Sequence, residues 1–216
     1  MKIKKRRILS LLLALCLLFS FAAPFSAAAA GNDDEIVANM YLCHTRTQGS
    51  LFGHCWVYIE NLSAETLQIG AYLCPPGQGV SVGTWALTRD DGHGIYYNLE
   101  SYLVNAFGLG RMRAIKDTLT RAELEKVSRR AAKQNFWDFL FFNCAFYAAA
   151  VWNAGSGKKV IPLIHPTVVW LQIMLRGDIG RVQMYYPARE QVLRQSGSGG
   201  SASTYVVSDG TVGKRM

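Results

Sequence analysis

The stretch Asn143-Cys144-Ala145-Phe146-Tyr147-Ala148-Ala149-Ala150-Val151-Trp152-Asn153-Ala154-Gly155 decides how the chain is read. Residues 144–153 contain neither Pro nor Gly, so they predict a helix. Asn143 is a favoured N-cap, and Gly155 is a favoured stop. That frame sets Cys144 in the first helical turn, where unpaired N–H groups and the positive end of the helix dipole favour an anion. A thiolate is such an anion, and helix starts lower thiol pKa values. The same amides can stabilise an oxyanion during acyl transfer. The competing reading is a buried structural cysteine, since cysteine is among the most buried residue types.

Upstream of this helix the pattern is mainly strand. Residues 37–47, 55–60, 67–73, 80–86 and 94–98 carry the β-branched and aromatic residues that suit a pleated surface. The segments 55–60 and 67–73, joined by a polar loop, predict a hairpin. Thr120 with Glu123 fits a capping box for a helix from Arg121 to about Lys133. Another helix is expected from Pro166, acceptable in a first turn, to Gly177. Strands early and helices late make an α+β pattern.

The chain has 216 residues, 50% hydrophobic and 18% charged, which excludes wholesale disorder. Its formal charge of +8 is inflated by the start. Lys2, Lys4, Lys5, Arg6 and Arg7 precede an apolar run from Ile8 to Phe21, and a small-residue stretch ends at Ala30. This predicts a secretory signal peptide over 1–30. The run is shorter than the roughly 20 residues needed to span a bilayer, so an uncleaved anchor is the weaker reading. Leu15 before Cys16 argues against a lipoprotein site. Removal of residues 1–30 leaves 18 bases against 15 acids, or +3, too little to argue for nucleic acid. The expected organisation is a domain over 31–190 and a flexible Gly/Ser-containing tail over 191–216, with no stable membrane insertion after cleavage. The tail could add one strand near 205–207.

A nucleophilic thiol needs a base. His54, after Gly53, opens the 55–60 strand and so lies at a sheet rim, where it can meet a helix start; Gly53 is expected to leave room for substrate. His44, His93 and His165 have no comparable setting. No His or Cys spacing suits a metal, and no cofactor is implied. Cys43, Cys55 and Cys74 are the other cysteines of the domain, and a Cys43–Cys74 bridge is permitted by export without being demanded. The aromatic residues are read as core and hairpin packing.

Gly53-His54-Cys55-Trp56-Val57-Tyr58-Ile59-Glu60-Asn61 resembles the histidine strand of circularly permuted papain-like proteins. These are relatives of the NlpC-type cell-wall peptidases and of lecithin:retinol acyltransferase. Residues 142–153 resemble the nucleophile helix of that superfamily, which often begins Asn-Cys. The order His54 then Cys144 matches the permuted form. Gly83-Thr84-Trp85 and residues 97–102 look like segments of a bacterial secreted subgroup. The resemblance spans about residues 50–177. It implies a permuted papain-like fold, an antiparallel sheet packed against a nucleophile-bearing helix. It also implies a secreted or cell-envelope bacterial cysteine peptidase or amidase, with Cys144 and His54 catalytic.

The implied substrate is peptidoglycan peptide. The alternatives are an acyl-lipid substrate for a transferase or esterase of the same fold, and a non-catalytic secreted binding module. The family's third residue, which orients the imidazole, usually comes from the strand beside the histidine. Here that strand is expected at 67–73, where the polar Gln68 and Tyr72 share one face. A five-residue loop would set Tyr72 opposite His54, and a loop one residue longer would set Leu73 there. With no His, Asn or Asp on this strand, a dyad or an orienting residue from elsewhere are the alternatives.

Overall fold

Ile36–Arg46 (β1) reads IVANMYLCHTR, and every residue between its two ends is buried. A strand covered along its whole length must lie in a sheet with layers on both faces. His54–Asn61 (β2) and Gly79–Trp85 (β5) repeat the pattern. The protein is described by a computed structural model over residues 34–46, 53–85, 94–108, 111–133, 143–162, 165–196 and 202–205. These all lie within one compact unit.

The remaining elements are the short strands Leu67–Ile69 (β3), Tyr72–Cys74 (β4) and Gly94–Tyr97 (β6), the helix Leu99–Phe107 (α1), and the strand Arg111–Thr120 (β7). Then come the helices Arg121–Ala131 (α2), Cys144–Gly155 (α3) and Pro166–Leu175 (α4), a 3-10 turn at Arg189–Gln191, and the strands Leu193–Gln195 (β8) and Ala202–Thr204 (β9). Seven strands form one sheet in the order β7-β1-β2-β5-β6-β8-β9, and every pairing is antiparallel. The described residues thus make an α+β fold, with a large antiparallel sheet and four helices.

Alternation along each strand divides the sheet's side chains between two layers. Met40, Leu42, Val57, Ile59 and Val82 pack with Val127 of α2, Ala148 and Trp152 of α3, and Ile173 of α4. Tyr41, Cys43, Trp56, Tyr58 and Tyr96 face the other way, onto Leu99, Leu103 and Val104 of α1 and onto Val182, Met184 and Val192. His54 shares the parity of Trp56 and Tyr58. It belongs to the α1 layer, although it sits at the sheet's end.

Thr120 and Glu123 form the reciprocal capping box that starts α2. Asn143 caps α3 through its side-chain oxygen, which accepts the N–H groups of Ala145 and Phe146 at 3.0 and 3.2 Å. Gly155 is the last residue of α3, but not because of a left-handed turn. A Cβ there would come within 2.5 Å of Val127 and 2.9 Å of Leu119, so the glycine lets α3 approach α2 and β7.

Several sequence expectations are corrected. The stretch 67–73 is not one strand paired with β2. Gly70, at φ +59°, turns the chain, and β3 and β4 pair with each other in a separate two-stranded sheet. The Ala71 N–H donates to Tyr97 Oη at 3.0 Å and fixes that turn. The neighbours of β2 are β1 and β5.

The expected flexible tail is ordered at its start. β8 joins β6, and the buried Gln195 accepts from Tyr97 Oη at 2.7 Å and donates to the Ala132 carbonyl at 3.1 Å. The additional strand is β9, ending before Tyr205; residues 206 and 207 lie outside the described residues. So do residues 1–30, where the signal peptide is expected, and His93. Among the described residues no helix is long and apolar enough to cross a membrane.

Candidate active site

Cys144 and His54 meet at the end of the sheet. Cys144 opens α3 in one layer, and His54 opens β2 with its ring turned toward the other. The thiol and the imidazole lie close enough for each to shift the ionisation of the other. The second ring nitrogen is held from the α1 layer, where His54 Nε2 donates to Glu100 Oε1 at 3.1 Å. With Nε2 engaged by Glu100, Nδ1 is the ring nitrogen left to serve the thiol. His54 and Glu100 are both buried, Glu100 completely.

A buried carboxylate is tolerated only when its oxygens are hydrogen-bonded. Glu100 Oε1 also accepts the indole N–H of Trp85 at 2.8 Å, and Oε2 accepts the Ser81 hydroxyl at 3.0 Å. The Ser81 hydroxyl is oriented in turn by the Ser101 N–H, which donates to it at 3.0 Å. Trp85 serves twice, because its ring lies 3.9 Å from that of His54, tilted by 34°. Trp56 stacks on the imidazole from further along β2, at 5.7 Å. Gly83 faces the Glu100 carboxylate, and a Cβ there would collide with Oε1. Gly83 and Trp85 therefore have one physical role between them, which is to admit and fix Glu100.

Burial alone would raise the Cys144 thiol. The positive His54, its hydrogen bond, and the N–H groups of Cys55 and Ala145 outweigh that and bring the thiol below its ordinary value. For His54 burial also opposes charge, but the Cys144 thiolate, the hydrogen bond to it and the Glu100 carboxylate raise the imidazole to about 9. Both shifts favour a thiolate–imidazolium pair. The other described cysteines go the opposite way. Burial raises Cys43, burial and the Cys144 charge raise Cys55, and burial pushes Cys74 up to about 12. All four are free thiols. Cys43 and Cys74 cannot approach one another, because they lie in the cores on opposite faces of the sheet.

Cys144 and His54 are therefore brought together, while Gln68 and Tyr72 are not part of the cluster. Gln68 is exposed and donates to the Gly70 carbonyl at 2.6 Å. Tyr72 stacks on Tyr97 at 6.3 Å in the separate hairpin. The residue behind the imidazole is Glu100, which sequence reasoning missed. Its signal was an acid among Leu99, Leu103 and Val104 on the apolar stripe of a helix. Gly53 does not open space for substrate. Its φ is +74°, and a Cβ would strike the Thr45 carbonyl and the His44 ring. Among the described residues no cluster of three or more His, Cys, Asp or Glu could hold a metal ion.

The arrangement can generate a thiolate, hold the imidazolium beside it in place and set the positive end of a helix near a developing anion. Comparison of the chain with protein-family models, with curated proteins and with solved structures finds no match.

Proposed function

We propose that the protein is an exported thiol acyl hydrolase of the circularly permuted papain-like kind, with Cys144 as nucleophile, His54 as base and acid, and Glu100 as the residue that positions His54. The observation that carries this reading is the buried His54 imidazole, which Glu100 anchors at 3.1 Å from behind and which sits close enough to the Cys144 thiol to lower it. The Cys144 sulfur attacks a substrate carbonyl carbon, forming a C–S bond and a tetrahedral oxyanion. The Cys144 N–H is beyond the reach of the Asn143 side chain, which serves the next two amides, and it is the donor assigned to that oxyanion. Collapse breaks the C–N or C–O bond, and His54 gives its proton to the leaving group. His54 then takes a proton from water, the resulting hydroxide attacks the thioester, and the Cys144 thiolate is released.

Peptidoglycan stem peptide is the first substrate class assigned, on the basis of the export signal expected at 1–30 and the resemblance of the His54 and Cys144 segments. A lipid acyl ester is the second. One observation favours it: α4, whose first residue Pro166 lies against Cys55, presents apolar side chains to solvent. The test is acid quenching during turnover of stem-peptide fragments and, separately, of short-chain acyl esters. The Cys144-containing peptide should gain the acyl mass with one substrate class and lose it with time. Cys144→Ala should show no adduct. Absence of adduct and of product with both classes would replace the enzyme by a binding module.

A further inference from the structure

The helix α4, PTVVWLQIML, carries no charged residue, although only one side of it is covered. Val169 and Ile173 enter the core, and Gln172 holds the backbone of Ile161 through both its N–H and its carbonyl. Leu171, Met174 and Leu175 share the outer face by helical spacing and are 49%, 40% and 77% exposed. Ile161, tied to Gln172, and Ile179, just beyond the helix, are 57% and 50% exposed. An apolar patch of this kind marks an interaction surface.

Its border is basic. Lys116, Lys158 and Arg176 line with Ile179 a cleft of about 370 Å³ at the end of α4. Asp117 also lines the cleft and is balanced by Lys158, so Lys116 and Arg176 carry the excess charge there. Asp178 is ion-paired with Arg113 and accepts the Gly180 N–H at 2.8 Å. Asp117 accepts the Ser156 hydroxyl and lies 3.7 Å from Lys158 Nζ. At the other end, Arg46 stands over the Trp170 ring at 5.4 Å. Arg46 follows Thr45, the ladder partner of His54, and α4 starts with the Pro166 carbonyl against Cys55, the residue after His54.

From this juxtaposition we propose that the outer face of α4 docks on an anionic lipid bilayer, with Leu171, Met174 and Leu175 entering the acyl region and the surrounding Lys and Arg side chains meeting the headgroups. A second copy of the chain fits less well, because a two-fold pairing of this face would set its cationic border against itself. The docked protein would hold its thiol close to membrane-borne acyl groups. The surface itself does not depend on the thiol chemistry.

The experiment is hydrogen exchange on the full chain, read locally at residues 166–179, so that association through residues 1–30 is not counted. The vesicles are phosphatidylcholine alone, or phosphatidylcholine with about one-third phosphatidylglycerol. Exchange at 166–179 should slow on the anionic vesicles, little on the neutral ones, and less at high salt. Leu171→Glu with Leu175→Glu should weaken the effect roughly tenfold or more. Both residues are exposed, so the thermal midpoint should be kept. Arg176→Glu, a second variant that leaves the apolar face intact, should weaken it severalfold. Cys144→Ala should behave like the wild type, which separates this proposal from the enzymatic one. Unchanged exchange at 166–179 on anionic vesicles would overturn the proposal, as would equal slowing on neutral vesicles. Slowing without vesicles that grows with protein concentration and is lost in Leu175→Glu would assign the face to self-association instead.

Discussion

Glu100 Oε1 holds His54 Nε2 at 3.1 Å from a helix on the opposite side of the sheet from the one that carries Cys144. The imidazole is thus gripped between two layers, with the carboxylate in one and the thiol in the other. Because Trp85 and Ser81 also donate to Glu100, the carboxylate cannot swing away without leaving two donors unpaired in the interior.

Under the proposed mechanism, Glu100→Gln should keep the fold and lose the acyl-hydrolase activity. The amide oxygen can still accept from Trp85 or Ser81, but the charge that steadies the imidazolium is gone. By analogy with other orienting carboxylates the loss in kcat should be roughly 10²-fold or more. Glu100→Ala removes the acceptors altogether, and each orphaned donor should cost about 1–3 kcal/mol of stability. Steady-state kinetics with the thermal midpoint of each variant checks the pair. Wild-type kcat in Glu100→Gln would remove Glu100 from the mechanism.

Cysteine reactivity should be uneven. Iodoacetamide near neutral pH should label Cys144 faster than Cys43, Cys55 or Cys74, whose thiols are raised by burial. His54→Ala should slow the labelling, because the cationic partner is lost while the helix start remains. Mass spectrometry of quenched digests follows each site, and unfolding in guanidinium should abolish the contrast. Equal, slow labelling of all four in the native state would mean an inert Cys144.

The pH behaviour follows from two opposed shifts. His54 is raised from 6.5 to about 9. Its contribution to stability is full below 6.5 and lost as pH rises through 9. Cys144 is lowered from its ordinary 9. Its contribution is present above 9 and lost as pH falls through its folded value. Where the two windows overlap, below 9 and above both 6.5 and the folded value of Cys144, the slopes oppose each other, so the denaturation midpoint should change little there. NMR titration of the His54 ring should give a midpoint near 9 that falls in Cys144→Ser, since the negative sulfur is the leading cause of the rise. An unchanged midpoint in that variant would exclude the ion pair.

The helix that Cys144 opens was legible because its signals are local. Asn143 caps, Cys144 follows, and nothing between 144 and 153 breaks the helix. His54 at a strand start was legible for the same reason. The identity of its partner was not, because it depends on strand order. The stretch 67–73 has strand composition throughout, yet Gly70 turns it into a hairpin bound to Ser128 and Tyr97, so the neighbour of β2 is β5 rather than residues 67–73. β7 escaped notice because it is an edge strand, whose Arg113, Lys116 and Asp117 dilute the apolar pattern in the way edges allow. α1 escaped because it is short and begins after Asn98 in a left-handed conformation. Glu100 went with it.

Trp85→Phe separates the two contributions of that side chain. The ring over His54 is retained and the N–H to Glu100 is lost. A hydrogen bond to a charged group is worth about 1.5–3 kcal/mol, and the carboxylate keeps its contacts to His54 and Ser81. The expected result is a fall in kcat smaller than that of Glu100→Gln, with a modest drop in thermal midpoint. Trp85→Ala should be worse in both, because the face of the imidazole is uncovered as well. Equal kinetics for the two variants would mean that the hydrogen bond, not the ring, is what Trp85 supplies.

Gly83→Ala tests the site without altering any group that bonds to Cys144, His54 or Glu100. Gly83 lies in β5, paired with Tyr96, and its φ is not in the left-handed region, so alanine imposes no backbone strain. Its added methyl would occupy the place of Glu100 Oε1 and touch Trp56 Cβ. Glu100 is fully buried and cannot rotate into solvent, so it must leave the line that joins it to His54. The expected outcome is a folded protein with a thermal midpoint lowered by several degrees, on the order of 1–3 kcal/mol for an overpacked interior. kcat/KM should fall toward that of Glu100→Gln. The double variant Gly83→Ala/Glu100→Gln should then lose little more activity than either single one, since both remove the same positioning contact. Full additivity in that cycle would show that Gly83 acts through something other than Glu100.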